Sequence, residues 1–170
     1  MVIVLALLAG CQSIQNSSIA NGTVIDTGSW TDCVPFARSR SGINIYGDAH
    51  TWWAQAEGRY PTGHAPVPGA VMVLDNYAGE KRAHLAVVTR LVSDREIRVD
   101  HANWLNDGAI YLDNAVLDIS PVNDWSRVRV WNSRSGAWGG RAYEVRGFIG
   151  ASTRTTNGVE PMYRLTLLNE

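Results

Sequence analysis

His84-Leu85-Ala86-Val87-Val88-Thr89-Arg90-Leu91-Val92, then Ser93-Asp94, then Glu96-Ile97-Arg98-Val99-Asp100-His101 is the stretch on which the fold turns. The first run is long and β-branched, and the last alternates polar with apolar residues. A short turn between two such runs is the signature of a β-hairpin. With Ser93-Asp94 as a two-residue turn, Val92 pairs with Arg95, Ala86 with His101 and His84 with Asn103. Strand side chains alternate, so His84, Ala86, His101 and Asn103 share one face. Directly opposed Cβ atoms lie about 5 Å apart and diagonal ones about 7–8 Å, which is within reach for imidazoles. A slip of one residue would keep His101 with Asn103 but move both away from His84.

Working outward, further strands are expected at 70–74, 127–131 and 142–149, with a loop-rich stretch from 105 to 124. Residues 30–60 read helical. Thr31-Asp32 supplies capping types, Pro35 is tolerated in a first turn, and Gly42 ends the segment. A second helix opens at Asp48, with Ala49, Trp52, Trp53 and Ala56 at helical spacing, and ends near Gly58. Helices first and an antiparallel sheet afterwards predict an α+β architecture, with the N-terminal helices packed on the sheet.

The 170 residues fit one domain, and 45% hydrophobic against 18% charged residues is enough to bury a core. Fifteen basic side chains balance sixteen acidic ones, for a net charge of −1, so charge gives no support to a nucleic-acid partner. Two cysteines make no disulfide framework, and the sequence has no zinc-type spacing, so no metal is expected; no organic cofactor is expected either.

Val2 to Leu8 is an apolar run far short of the roughly 20 residues needed to span a bilayer. It fits the h-region of a secretory signal, although no Lys or Arg precedes it. Leu8-Ala9-Gly10-Cys11 resembles the lipobox of bacterial lipoproteins, in which the cysteine is lipidated and becomes the first mature residue. That resemblance implies a signal at 1–10 and a lipid on Cys11. A polar Ser-, Asn- and Gly-rich tether follows at 11–28, then a folded domain at 29–150 and an appendage at 151–170 with an edge strand at 163–168. Gln12 after the cysteine leans towards an outer-membrane anchor in the periplasm, by analogy with lipoprotein sorting.

With Cys11 carrying lipid, Cys33 has no partner; a Cys11–Cys33 disulfide is the rival reading. Cys33 at a helix start meets unpaired N–H groups and the positive end of the macrodipole, which predicts a lowered thiol pKa. A nucleophilic thiol needs a base, and the face bearing His84, His101 and Asn103 offers one if the helix packs over it. His50 and His64 read as incidental, and Asp32 as a cap.

Thr31-Asp32-Cys33-Val34-Pro35-Phe36-Ala37-Arg38, Gly47-Asp48-Ala49, Thr51-Trp52-Trp53, Pro68-Gly69-Ala70-Val71, Ala83-His84-Leu85-Ala86-Val87-Val88 and Asp100-His101-Ala102-Asn103-Trp104 together resemble a CHAP domain. The resemblance implies a papain-like fold and a cysteine- and histidine-dependent amidohydrolase or peptidase acting on peptidoglycan. Cys33 matches the nucleophile and His84 the base. Where many relatives carry Glu-x-Asn, this sequence reads His101-Ala102-Asn103, similar to the Cys-His-His arrangement of NlpC-type peptidases, so either His101 or Asn103 orients His84. Trp52 and Trp53 are candidates for the groove wall, and Trp104 for shielding the site. The expected partners are peptidoglycan and, through the anchor, a membrane, for a monomeric chain. A non-catalytic wall-binding lipoprotein is the rival from another class; a thiol hydrolase or transferase on a small substrate is a third reading.

Overall fold

The computed structural model describes residues 22–150; Cys11, the signal and the 151–170 appendage lie outside them. In chain order the elements are β1 (Thr23–Ile25), α1 (Cys33–Ser41), a 3-10 turn (Ala49–Thr51) running into α2 (Trp52–Ala56), β2 (Thr62–Gly63), β3 (Val71–Asp75), β4 (His84–Ser93), β5 (Glu96–Ala102), β6 (Ile110–Asp118), β7 (Arg127–Asn132), β8 (Ala137–Trp138) and β9 (Tyr143–Ile149).

The α+β expectation is overturned. Strands account for 40% of the structure and helix for 13%, and the sheet does not lie open beneath a helical layer. It runs β6-β5-β4-β3-β9-β7, and β7 pairs back onto β6, closing six antiparallel strands into a barrel. Two physical features account for the difference. The helical block is small: α1 stops at Gly42 as expected, its left-handed φ of 74° turning the N–H back onto the Arg38 carbonyl at 3.0 Å, and α2 covers only Trp52–Ala56. The stretch expected as loop contains the nine-residue β6, without which no closure is possible. The end of the expected tether is corrected too, because Thr23–Ile25 pairs with Ile110–Leu112 of β6.

Closure explains the burial pattern of β3, which reads as apolar without alternation. Met72 and Leu74 join Ala86, Val88, Val99, Val116, Val130 and Phe148 in one core cluster. Val71 and Val73 instead join Leu85, Val87, Ala37, Trp52 and Ile149 in a second, beneath the helices. Both faces of β3 and β4 are therefore covered, and each buried aliphatic side chain contributes roughly 1.5–3 kcal/mol. On α1, Arg40 pairs with buried Asp100 of β5 (Nη2–Oδ2 2.6 Å, Nε–Oδ2 2.8 Å), fixing the helix to the strand that carries His101.

The β4–β5 hairpin reaches its expected register by another route. The turn is Asp94-Arg95, since Ser93 pairs with Glu96. Irregularities between Leu91 and Ser93 and between Val88 and Arg90 each shift the register by one residue. At Val87↔Asp100 the strands are back in the alignment that a Ser93-Asp94 turn implies. His84 and His101 thus meet on the inside as expected, although the turn itself differs.

One close contact sets a stability prediction. Gly147 on β9 has φ 149°, and a Cβ there would lie 2.5 Å from the Trp53 ring and 2.7 Å from the Gly63 carbonyl oxygen. A half-buried ring packed against the core and a backbone oxygen have little room to move away. Gly147→Ala is expected to cost about 2 kcal/mol or more, through overpacking together with backbone strain. Urea unfolding measures it, and a midpoint unchanged from wild type would refute the contact.

Candidate active site

Beside the start of α1 a groove of about 820 Å³ is lined by Cys33, His84 and Asn103 together with Asp32, Tyr77, Tyr143 and several charged residues. Each reaches it for a local reason. Asp32 takes the N-cap position in an extended conformation, so Cys33 is the first residue of α1. His84 is the first residue of β4, at the barrel rim. Asn103 follows β5 with a left-handed φ of 59°, and its side chain closes the turn by accepting from the Gly108 N–H at 2.9 Å.

The side chain in hydrogen-bond contact with His84 is His101. His84 Nε2 lies 3.0 Å from His101 Nδ1, and both rings are buried. Asn103 does not reach His84; its Nδ2 donates to Asp32 Oδ1 at 3.0 Å, tying the strand end to the residue before Cys33. Trp104 is buried with its ring centroid 5.0 Å from that of His84 and 5.1 Å from that of His101, consistent with shielding. Tyr77 covers His84 from the loop after β3 (centroids 4.9 Å apart), and its hydroxyl donates to the Trp104 carbonyl. The other two tryptophans are corrected. Trp52 is fully buried beneath the helices, Trp53 packs over Gly147, and neither lines the groove.

Sequence reading missed Asn114, a fully buried residue of β6. Its Nδ2 lies 3.0 Å from His101 Nε2 and donates to the Trp131 carbonyl at 3.1 Å, while its Oδ1 accepts from the Ser133 hydroxyl at 2.9 Å. A carbonyl only accepts, so it fixes which end of the amide faces the histidine. His101 Nε2 must then accept from the amide, and its proton sits on Nδ1. That proton is donated to His84 Nε2, so neutral His84 is protonated on Nδ1. One backbone carbonyl thereby sets the tautomers of two buried rings.

The same chain disfavours charge. An imidazolium at His84 would set two N–H groups against each other at the His84–His101 contact. Burial brings the His84 pKa down to about 3, and burial together with the neighbouring His84 charge brings His101 well below 6.5. Cys33 moves the opposite way from expectation. Burial raises the thiol above its ordinary 9.0, the Leu85 N–H opposes this, the Asp32 carboxylate adds to it, and the N–H groups of Cys33 and Val34 oppose it again. Helix-start amides do stabilise the thiolate, but desolvation outweighs them. The resting pair is a neutral thiol and a neutral imidazole, since burial opposes charge on both. Iodoacetamide alkylation of Cys33 should therefore show a midpoint above the free-cysteine value of about 8.5; a midpoint below 8 would contradict this balance.

No group of three or more potential metal-ligating side chains occurs among the described residues. Residues 23–103 match the family model of the CHAP domain, a family of hydrolytic amidases and peptidases. No curated protein and no solved structure matches the chain. The matched segment includes Cys33, His84, His101 and Asn103 and ends before Asn114.

Proposed function

We propose that this chain, which carries a CHAP domain over residues 23–103, is a thiol hydrolase that cleaves an amide or peptide bond of peptidoglycan. The observation that carries the reading is the placement of Cys33, first residue of α1, in one groove with a His84 whose Nε2 is occupied by His101, leaving Nδ1 as the nitrogen free to exchange a proton. A lipid on Cys11 would hold the protein in the cell envelope, within reach of that substrate.

Because the resting pair is neutral, the proton moves during attack. Rotation of the Asn114 amide, at the expense of its bond to Trp131, lets Oδ1 accept from His101 Nε2–H. The His101 Nδ1 proton shifts to His84 Nε2, the His84 Nδ1 proton leaves to water in the groove, and a proton from water returns to His101 Nε2; His84 Nδ1 is then free as a base. The Cys33 sulfur attacks the carbonyl carbon while its proton passes to Nδ1, and the backbone N–H of Cys33 faces the developing oxyanion. Nδ1–H next protonates the leaving amine, the C–N bond breaks and a thioester remains. Water adds to the thioester with His84 as base; the C–S bond breaks and the thiol is restored. The test is mass spectrometry of soluble products from purified sacculi incubated with the protein. New fragments ending at one type of amide bond support the reading, and their complete absence counts against it.

A second reading also has specific support. The raised Cys33 thiol, the tautomer set by Asn114 and the lack of a carboxylate on the histidine pair suit a wall-binding protein that keeps the groove without turnover. Binding to sacculi with no released product would favour it.

A further inference from the structure

The groove is lined by both acidic and basic side chains, drawn from different elements. Asp32 and Asp48 come from the residues capping α1 and the 3-10 turn, while Lys81 and Arg82 come from the β3–β4 loop and Arg141 from the β8–β9 loop. Lys81 is the only lysine in the chain. Elsewhere the arginines Arg40, Arg90, Arg95, Arg98, Arg134 and Arg146 are each paired with a carboxylate. None of the three groove cations has such a partner among the described residues, a state they share with Arg38, Arg59, Arg127 and Arg129 outside the groove.

Arg141 is also held in place. Its Nη1 donates to the Tyr77 carbonyl and its Nη2 to the Asn76 carbonyl, both at 2.7 Å, and its guanidinium stacks 4.9 Å from the Tyr143 ring centroid. Two neutral carbonyls orient the group without cancelling its charge, and N–H donors remain for a further acceptor. The loop that offers those carbonyls is itself fixed, since the Tyr77 hydroxyl bonds the Trp104 carbonyl and its ring lies on His84. A preoriented cation therefore sits a fixed distance from the reacting histidine, with Lys81 and Arg82 on the same loop adding to the field. We propose that these cations form a carboxylate-binding subsite, so that the groove selects peptides bearing a free carboxylate beside the bond placed at Cys33. The inference rests on the hydrolase reading for what happens at Cys33, but not for binding itself.

The probe is a set of muropeptides released from sacculi by a muramidase, used either as obtained or after carbodiimide conversion of their carboxyls to methylamides. Binding is followed by tryptophan fluorescence on Cys33→Ala, and cleavage on the wild type. Native muropeptides should bind at least tenfold more tightly than amidated ones, and the preference should shrink with added salt. Arg141→Gln, which keeps donors for the two carbonyls, and the double variant Lys81→Gln/Arg82→Gln should each erase most of that preference by weakening native binding alone. Arg59→Gln, an exposed charge outside the groove, should leave it unchanged. Equal binding of native and amidated forms by Cys33→Ala overturns the subsite, even if the wild type cleaves both. Binding of neither form overturns it as well. Carboxylate-dependent binding without cleavage supports the subsite and sinks the hydrolase reading.

Discussion

Cys33→Ser is expected to release no measurable muropeptide from sacculi, a loss of at least about 10³-fold for a nucleophile acting through a covalent intermediate. His84→Ala should lose activity on the same scale, and the double variant should be no worse than either single one, because the two act as a unit. Circular dichroism should stay native for Cys33→Ser, whose side chain is only partly buried and similar in size. The pH profile adds a discriminating feature. With the thiol held above its ordinary value by burial, kcat/KM should still be rising above pH 8, rather than following the bell of a preformed thiolate–imidazolium pair. Full activity in either variant would end the thiol mechanism; a plateau beginning below pH 7 would show that the ion pair forms before substrate binds.

The second large effect concerns stability in acid. His84 has a pKa of about 3 when folded, against 6.5 for an ordinary histidine, because burial penalises the imidazolium. The unfolded chain therefore binds the proton first, and stability rises with pH wherever it does so. The contribution is fully present above about pH 7 and is lost as pH falls from 6.5 towards 3. At pH 5 the loss from His84 is about 2 kcal/mol, and His101, depressed for the same reason, adds to it in the same direction. Urea unfolding at pH 7, 6 and 5 should show this decline. In His84→Gln the slope should be clearly shallower, whatever the absolute stability of that variant. An equal slope in the two proteins would mean that the histidines charge without leaving the core.

The site was more legible in the sequence than the architecture. Cys33 at a helix start and His84 facing His101 follow from capping residues and strand alternation, both local signals. The barrel was hidden because its closing strand, β6, interrupts its own apolar pattern with Asp113 and Asn114. Asp113 has a left-handed φ of 51°, and the β5–β6 register shifts there, from Val99↔Asn114 to His101↔Tyr111. That bulge lets Tyr111 and Asn114 both face His101. The polar residue that disguised the strand is thus the one that sets the histidine tautomers, and no periodicity rule finds a buried polar side chain whose partner is seventeen residues away, at Trp131. The thiol was misjudged for a related reason. A helix start is readable in sequence, but the burial that opposes it depends on tertiary packing. Trp52 and Trp53 read as groove-wall candidates, but packing puts Trp52 in the core with α1 and leaves Trp53 half-buried over Gly147.

Strand β1 lies immediately ahead of the segment that leads into Cys33. It is bonded edge-on to β6, and the next residue, Asp26, is bound by Arg134 at 2.5 Å. Any mechanical load arriving along the chain from before residue 22 meets this joint first. Tension would be taken up in shear between the two strands and in the Asp26–Arg134 clamp, and so would be spent before it reached the helix that begins at Cys33.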